Sequence, residues 1–398
     1  MRSVDEWGEA KRHSGWARRL YDGLALLLLM WPATGGMWWM ASTRTWGFAP
    51  GIFLSLSGSA LVLLRPLMFS DTPRWRVPLA FWFLALLTAW VVASVKWAPV
   101  FTSARWEALR WVCLLAAAWS WMQMGGVKHR WKWLIGILLL VVALDGLYAL
   151  IQEVNGSNRV LWAARPEQYG MRASGSYLCP NHFANMLAIL IPVALALLFL
   201  PEAGFPLRLM ALYFMGVSAP ALYLTQSRSG WLGATAGIGA TLLLLAWRKS
   251  RMWFALALVV LPLLGAAAGW TAWNALPAVR SRMGILIRDP EKASSGRLQM
   301  WRDAPAMFKH KPVEGFGAGS YVWAYPPFQR HVRHHLNYDF PHNEYIQVAL
   351  EYGAVGLALT FAGLLACAWG ITRGVLKARS RTGAFLLAGA GGSLVASL

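Results

Sequence analysis

"PHNEYIQVALEYGAVGLALTFAGLLACAWG", residues 341–370, sets a polar tetrad directly against an apolar run long enough to cross a bilayer. Pro341 closes the preceding loop, and Asn343 and Glu344 suit the first turn of a helix. His342 then projects at the helix mouth. Glu351 lies two turns deeper, where a charge surrounded by hydrocarbon needs a partner or a function. The expectation is that it neutralises a buried arginine. Which side of a membrane this mouth faces, and what else faces that way, decides how the chain is read.

Composition sets the frame. The chain has 398 residues, 57% of them hydrophobic and 14% charged. A soluble domain carries roughly 25% charged residues, so an all-α, polytopic transmembrane helical bundle is expected. The 25 tryptophans agree, because indoles favour the membrane–water interface. A net charge of +20 suggests nucleic acid in a soluble protein, but here it is read as basic loops that orient helices and touch anionic lipid. No nucleic-acid partner is expected. Cys113, Cys179 and Cys367 form no disulfide framework.

A helix of about 20 apolar residues crosses the hydrocarbon core. That window gives eleven spans, near 20–40, 48–69, 77–95, 105–124, 131–152, 183–200, 207–225, 229–247, 252–271, 343–371 and 383 to the end. The basic N-terminal run "KRHSGWARRL" is read as leading into the first span rather than as a cleaved signal. The organisation is therefore a cytoplasmic N-terminus (1–19), nine spans (20–271), a long outer loop (272–342) and two last spans (343–398). The N-terminus and even-numbered loops collect Arg2, Lys11, Arg12, Arg18, Arg19, Arg65, Arg74, Arg76, Lys128, Arg130, Arg248, Lys249, Lys377 and Arg381. The short odd-numbered loops hold fewer cations, among them Arg44, Lys96, Arg165 and Arg172. The positive-inside rule places them outside, together with the long loop.

Three unusual polar stretches then share the outer face: "RASGSYLCPNHFAN" (172–185), "LTQSRSGWLG" (224–233) and the loop ending in "DFPHNEY" (339–345). Arg228 sits at a membrane edge with few polar neighbours. It is read either as snorkelling to lipid phosphate or as a planar fork held for a ligand's phosphate. In "SSGRLQMWRDAPAMF", Ser294 or Ser295 can cap a helix whose apolar face is Leu298, Trp301 and Phe308, lying on the membrane surface. Arg297 falls in its first turn, where backbone N–H groups also face an anion. His342 can accept a proton near neutral pH, and nearby guanidinium groups would lower its pKa.

Other features are discounted. "GFGAGS" (315–320) follows no strand and is read as a turn. His331, His334 and His335 lack an acid or cysteine to complete a metal set. Asp145 is read as a helix–helix hydrogen bond. No Asp-x-Asp or Glu-x-Asp pair occurs in an outer loop, so no metal or other cofactor is expected to bridge a diphosphate.

At "SGSYLCPNHFANMLAILIP", "LTQSRSGWLG", "SSGRLQMWRDAPAMFKHKPVEGFGAGSY" and "PHNEYIQVALEYGAVGL" the sequence resembles the bacterial O-antigen ligase and polymerase superfamily, from about residue 130 to 371. The resemblance implies a GT-C-like glycosyltransferase of the bacterial inner membrane, multi-pass, with its active site facing the periplasm. It implies transfer of a glycan from an undecaprenyl-diphosphate donor to a sugar hydroxyl, metal-independent and inverting. The acceptor is lipid A–core in a ligase and another lipid-linked glycan in a polymerase. Carried over residue by residue, Arg228 and Arg297 hold the diphosphate and His342 positions or deprotonates the acceptor. Arg172, Asn181, His182, Asn343 and Glu344 are further substrate-binding candidates. The family often has about a dozen spans and a region after the penultimate helix, whereas this sequence stops at Leu398. A protein O-glycosyltransferase, or a transporter using Asp145 and Glu351, are the remaining alternatives; no pair of related halves favours the transporter.

Overall fold

The computed structural model describes residues 4–38, 45–69, 77–124, 130–294, 296–331 and 338–398. Arg2, Arg44, Arg74, Arg76, Lys128, Ser295, His334 and His335 lie outside these residues. Each of the eleven expected spans coincides with a helix: α1 (Val4–Met30), α2 (Thr45–Phe69), α3 (Leu79–Ser94), α4 (Phe101–Gln123), α5 (Trp131–Val154), α6 (Pro180–Phe199), α7 (Gly204–Leu224), α8 (Arg228–Lys249), α9 (Arg251–Ala275), α14 (Glu344–Lys377) and α15 (Arg381–Ser397). Among the described residues seven helices are long and apolar enough to cross a membrane: α2, α5 to α9 and α14. The other four fall short in length or in apolar character. The chain is an all-α, multi-pass membrane protein.

The first span differs from expectation. Nothing between Val4 and Met30 breaks a helix, so the basic residues meant to precede the span are themselves helical. It ends ten residues early because Trp31–Ala33, with Pro32 inside it, tightens into a 3-10 turn.

The chain divides into two compact units, Met1–Val77 with Leu109–Trp131, and Pro78–Ala108 with Lys132–Leu398. In the first, α1 and α2 are joined by the Arg65–Asp22 ion pair at 2.8 Å and by Tyr21 Oη donating to the Leu61 carbonyl at 2.6 Å. The second unit holds every candidate site residue.

In the second unit α6, α8 and α15 pack through small residues. A Cβ on Gly237 would lie 2.7 Å from the Gly392 carbonyl, and one on Gly233 2.6 Å from that of Ala396. Without a hydrophobic drive between helices in lipid, such backbone approach supplies dispersion contact. Ser393 Oγ adds a bond to the Ile189 carbonyl at 2.6 Å.

The long loop expected over 272–342 is largely helical: α10 (Pro277–Arg288), α11 (Pro290–Ser294), α12 (Arg297–Phe308) and α13 (Tyr321–Ala324). The cap of α12 is neither Ser294, whose Oγ donates to the Glu291 carbonyl, nor any side chain; Gly296 at φ 86° starts the helix. Its buried face is Met300, Ala304 and Met307, flanked by Trp301 and Phe308, rather than one centred on Leu298. That face meets Tyr321, Tyr325 and Leu350, so it covers a core of its own instead of lying against the membrane.

Among the described residues Glu351 has no arginine partner. It is 1% exposed, and its carboxylate accepts from the backbone N–H of Tyr321 at 3.1 Å and of Gly319 at 3.2 Å. It thereby clamps the "GFGAGS" segment onto a break in α14 at Gly353, whose φ of 66° and ψ of −165° only glycine adopts freely. A Cβ there would overlap the Val313 carbonyl, and one on Gly315 would come within 2.5 Å of Glu351 backbone. The break frees backbone groups, and each finds a new partner. Phe316 N donates to the Leu350 carbonyl at 2.9 Å, Gly317 N to that of Glu351 at 2.8 Å, and Ala354 N to that of Pro312 at 2.8 Å. Trp90 Nε1 donates to the Tyr352 carbonyl at 3.0 Å. A non-helical turn within an apolar span is tolerated only when protein satisfies it in this way.

Glu351→Ala strands the Gly319 and Tyr321 N–H groups, at a cost of about 1–3 kcal/mol each. Its melting temperature in detergent is expected well below wild type, with Glu351→Gln in between; an unchanged melt for the alanine variant would refute the clamp.

Candidate functional site

Arg172 is presented by a loop built for the purpose from buried polar groups. Asp145 on α5 is fully buried and accepts from Ser176 N at 2.7 Å and Ser176 Oγ at 3.0 Å. It anchors this loop rather than another helix, contrary to expectation. Gly175 at φ 57° is needed there, since a Cβ would sit 2.7 Å from Asp145 Oδ1. Arg165, also buried, donates to the Arg172 carbonyl, to Ser174 Oγ at 3.0 Å and to the Gly170 carbonyl at 2.7 Å. On this frame Arg172 Nε donates to the Thr225 carbonyl at 2.7 Å and Nη2 to Asn181 Oδ1 at 2.6 Å. Loop 172–176, the start of α6 and the end of α7 are thus tied together.

"TQSRSG" resolves into parts. Thr225 ends α7, Gln226 turns the chain at φ 49°, and Ser227 caps α8 by accepting from Gly230 N at 3.3 Å. Gly230 lets α8 approach α6, for a Cβ would meet that of Ala184 at 2.6 Å. Arg228 therefore opens α8, half-buried, and Nη2 donates to the Ala293 carbonyl at 2.6 Å while Nη1 lies 3.5 Å from the Arg282 carbonyl. Arg282, on α10, donates from Nε to Gln226 Oε1 at 3.2 Å.

Arg297 is the first residue of α12. Trp301, one turn on, donates from Nε1 to the Pro341 carbonyl at 2.9 Å, which holds α12 against the segment carrying His342. His342 has φ 54°, an uncommon conformation for any residue but glycine. Asn343 caps α14 by accepting from Ile346 N at 3.1 Å, so its oxygen is committed to the helix. The Glu344 carboxyl is pushed up by desolvation and then by the nearby Glu107 charge.

These residues close a circuit. Arg172 feels the charge of Arg282, Arg228 feels Arg282 and Arg297, and His342 feels Arg297 and His182. Beside His182, Asn181 bonds back to Arg172. Among the described residues none of the four arginines pairs with a carboxylate, unlike Arg65 and Arg302. Burial, ahead of the nearby Arg282 charge, pushes the Arg172 guanidinium down to about 10. His342 is exposed at its surface yet ringed by protein: desolvation, then Arg297 and His182, lower its pKa, against a raising effect from Asp339. His331, from the discounted histidine run, instead bonds the buried Asp303 through Nδ1 at 2.5 Å.

With this geometry in view, residues 211–361 match the family model described as O-antigen ligase. Over that segment, less than half of the chain, the sequence is similar to the O-antigen ligase/polymerase superfamily. The match supports a membrane glycosyltransferase of the O-antigen ligase/polymerase kind. The matched segment contains Arg228, Arg282, Arg297 and His342; Arg172, Asn181 and His182 precede it. No curated protein matches the chain.

Sequence reasoning named six members of the circuit, Arg172, Asn181, His182, Arg228, Arg297 and His342, and missed Arg282. As the eleventh residue of a basic loop, it carries no local signal; only the bond to Gln226, two residues before Arg228, reveals its place.

Because its folded pKa lies below the ordinary 6.5, His342 is expected to be neutral at pH 7, and folding stability falls as pH drops from about 6.5 through the folded value. Ring-labelled NMR, assigned with His342→Gln, is expected to find this low value. Arg297→Gln is expected to restore only part of the shift, since desolvation is the larger cause. An unshifted titration would contradict the arrangement.

Proposed function

We propose that the protein is an O-antigen (or similar surface polysaccharide) ligase. It transfers a glycan from an undecaprenyl-diphosphate carrier to a sugar hydroxyl, lipid A–core for a ligase, at the periplasmic face of the bacterial inner membrane. The observation that supports this best is the juxtaposition of uncompensated guanidinium groups with a histidine held towards its neutral form. A diphosphate arriving there replaces repulsion among Arg228, Arg297 and their neighbours with charge-assisted hydrogen bonds.

The chemistry needs little more. The acceptor oxygen attacks the anomeric carbon from the side opposite the phosphate, the bond from that carbon to the phosphate oxygen breaks, and configuration inverts. His342 takes the proton of the acceptor hydroxyl. Arg228 and Arg297 stabilise the charge that gathers on the departing lipid diphosphate, the role a divalent metal fills in sites built from paired carboxylates. Arg172, bonded to Asn181, and His182, which neighbours His342, extend the same surface as further substrate contacts. The segment 272–342 supplies Arg297 and ends at His342, so in this reading it is part of the site rather than a connector.

Arg228→Ala, Arg297→Ala and His342→Ala are each expected to insert normally. Each arginine substitution is expected to slow transfer by roughly 10²–10³-fold, about 2.7–4 kcal/mol if it behaves like one oxyanion donor. The assay supplies purified protein with a lipid-diphosphate glycan and several acceptors, with and without chelator. Labelled lipid A–core confirms a ligase, longer lipid-linked chains would replace it with a polymerase, and loss of transfer on chelation would overturn the metal-independent step.

A further inference from the structure

The circuit contains more cation than one phosphoryl group can use. Arg297 lies near both Arg228 and His342, while Arg172 and Arg282 both bond to the Thr225–Gln226 turn and feel each other's charge. Each member of the second pair is fixed by one end of its fork. Arg172 spends Nε and Nη2 on Thr225 and Asn181, and Arg282 spends Nε on Gln226. Among the described residues Nη1 of Arg172 and both Nη atoms of Arg282 donate to nothing. Gln226 is itself held in a left-handed turn, φ 49°, directly before the α8 cap. A strained residue kept for a single outward bond to an arginine suggests that the position of that arginine matters.

We propose that Arg282, positioned by Gln226, forms with Arg172 a second anion seat, so that the site grips a prenyl diphosphate by two arginine pairs, one for each phosphoryl group. This deepens the lipid-diphosphate reading above and rests on it. It assigns Arg282 as a substrate contact and Gln226 as a positioning residue. It also gives the site a basis for preferring a diphosphate over a monophosphate, because only the longer headgroup reaches both pairs. Ligand-free, the four cations repel one another, so the second seat is held at some expense of stability.

The test uses the full chain in detergent and two soluble probes, farnesyl diphosphate and farnesyl monophosphate, with binding read by calorimetry and by ligand-induced melting shift. Wild type is expected to prefer the diphosphate. Arg282→Ala is expected to weaken diphosphate binding about tenfold or more, the value of one charge-assisted contact, and to leave the monophosphate nearly unchanged. Its ligand-free melting temperature is expected to hold or rise, whereas loss of a merely structural arginine would lower it. Gln226→Gly, which suits the backbone at that position, keeps the Arg282 charge and is expected to erode the same preference by a smaller factor. If Arg282→Ala and Gln226→Gly keep the full preference while Arg228→Ala loses binding, the second seat is refuted and the lipid-diphosphate reading stands. If wild type binds neither probe, or Arg228→Ala and Arg297→Ala bind both as wild type does, that reading falls and the second seat with it.

Discussion

A carboxylate in an apolar helix is the constraint on which much of the second unit depends. Glu351 cannot be left unpaired there, and its partners are backbone N–H groups of Gly319 and Tyr321. The clamp forces "GFGAGS" into the break at Gly353, and the break in turn gives the loop the carbonyls of Leu350 and Glu351 to bond. From that anchorage Tyr321 and Tyr325 reach Met300 and Met307, fixing α12. Trp301 then fixes Pro341 and the histidine after it. Arg297 and His342, 45 positions apart in sequence, meet because an acid nine residues beyond His342 required backbone partners.

The second constraint is repulsion. Four arginines share one region, none paired with a carboxylate among the described residues, and carbonyl oxygens take the place of counter-ions: Thr225 for Arg172, Ala293 and Arg282 for Arg228. A carbonyl fixes the direction of a guanidinium without cancelling its charge. A carboxylate would do both, and would leave less for an anionic ligand to gain. The positive φ of Gln226 and of His342 belongs to the same logic, since both strained turns place a polar side chain at the circuit.

The bundle was legible because hydrophobic runs of membrane length have few other readings, and each expected span met a helix. The beginning of α1 was not, because basic residues continue a helix as readily as they precede one. Arg228, Arg297 and His342 could be read because each stands at a boundary where an apolar run or a helix start makes a charge conspicuous. The partner of Glu351 was misjudged for a physical reason: backbone N–H groups leave no mark in a sequence, whereas an arginine does. The buried face of α12 was misplaced similarly, since Leu298, Trp301 and Phe308 and the observed Met300, Ala304 and Met307 both satisfy helical spacing, and only the tyrosines of the next helix choose between them.

Helix direction explains why residues so dispersed converge. Short connections send α6 away from the site, α7 back and α8 away again, so the starts of α6 and α8 and the end of α7 lie together. α9 returns the chain to that end, α10 to α12 remain there, and α14 departs from it. Asn181 and His182, Thr225 to Arg228, Arg282, Arg297 and His342 are all at such reversals. Reversals at a membrane face combine backbone donors of helix starts with access to water, while the spans they join reach lipid. A headgroup carrying phosphate on a hydrocarbon tail needs both surroundings within one molecule's length, and among the described elements of the second unit these turns supply both.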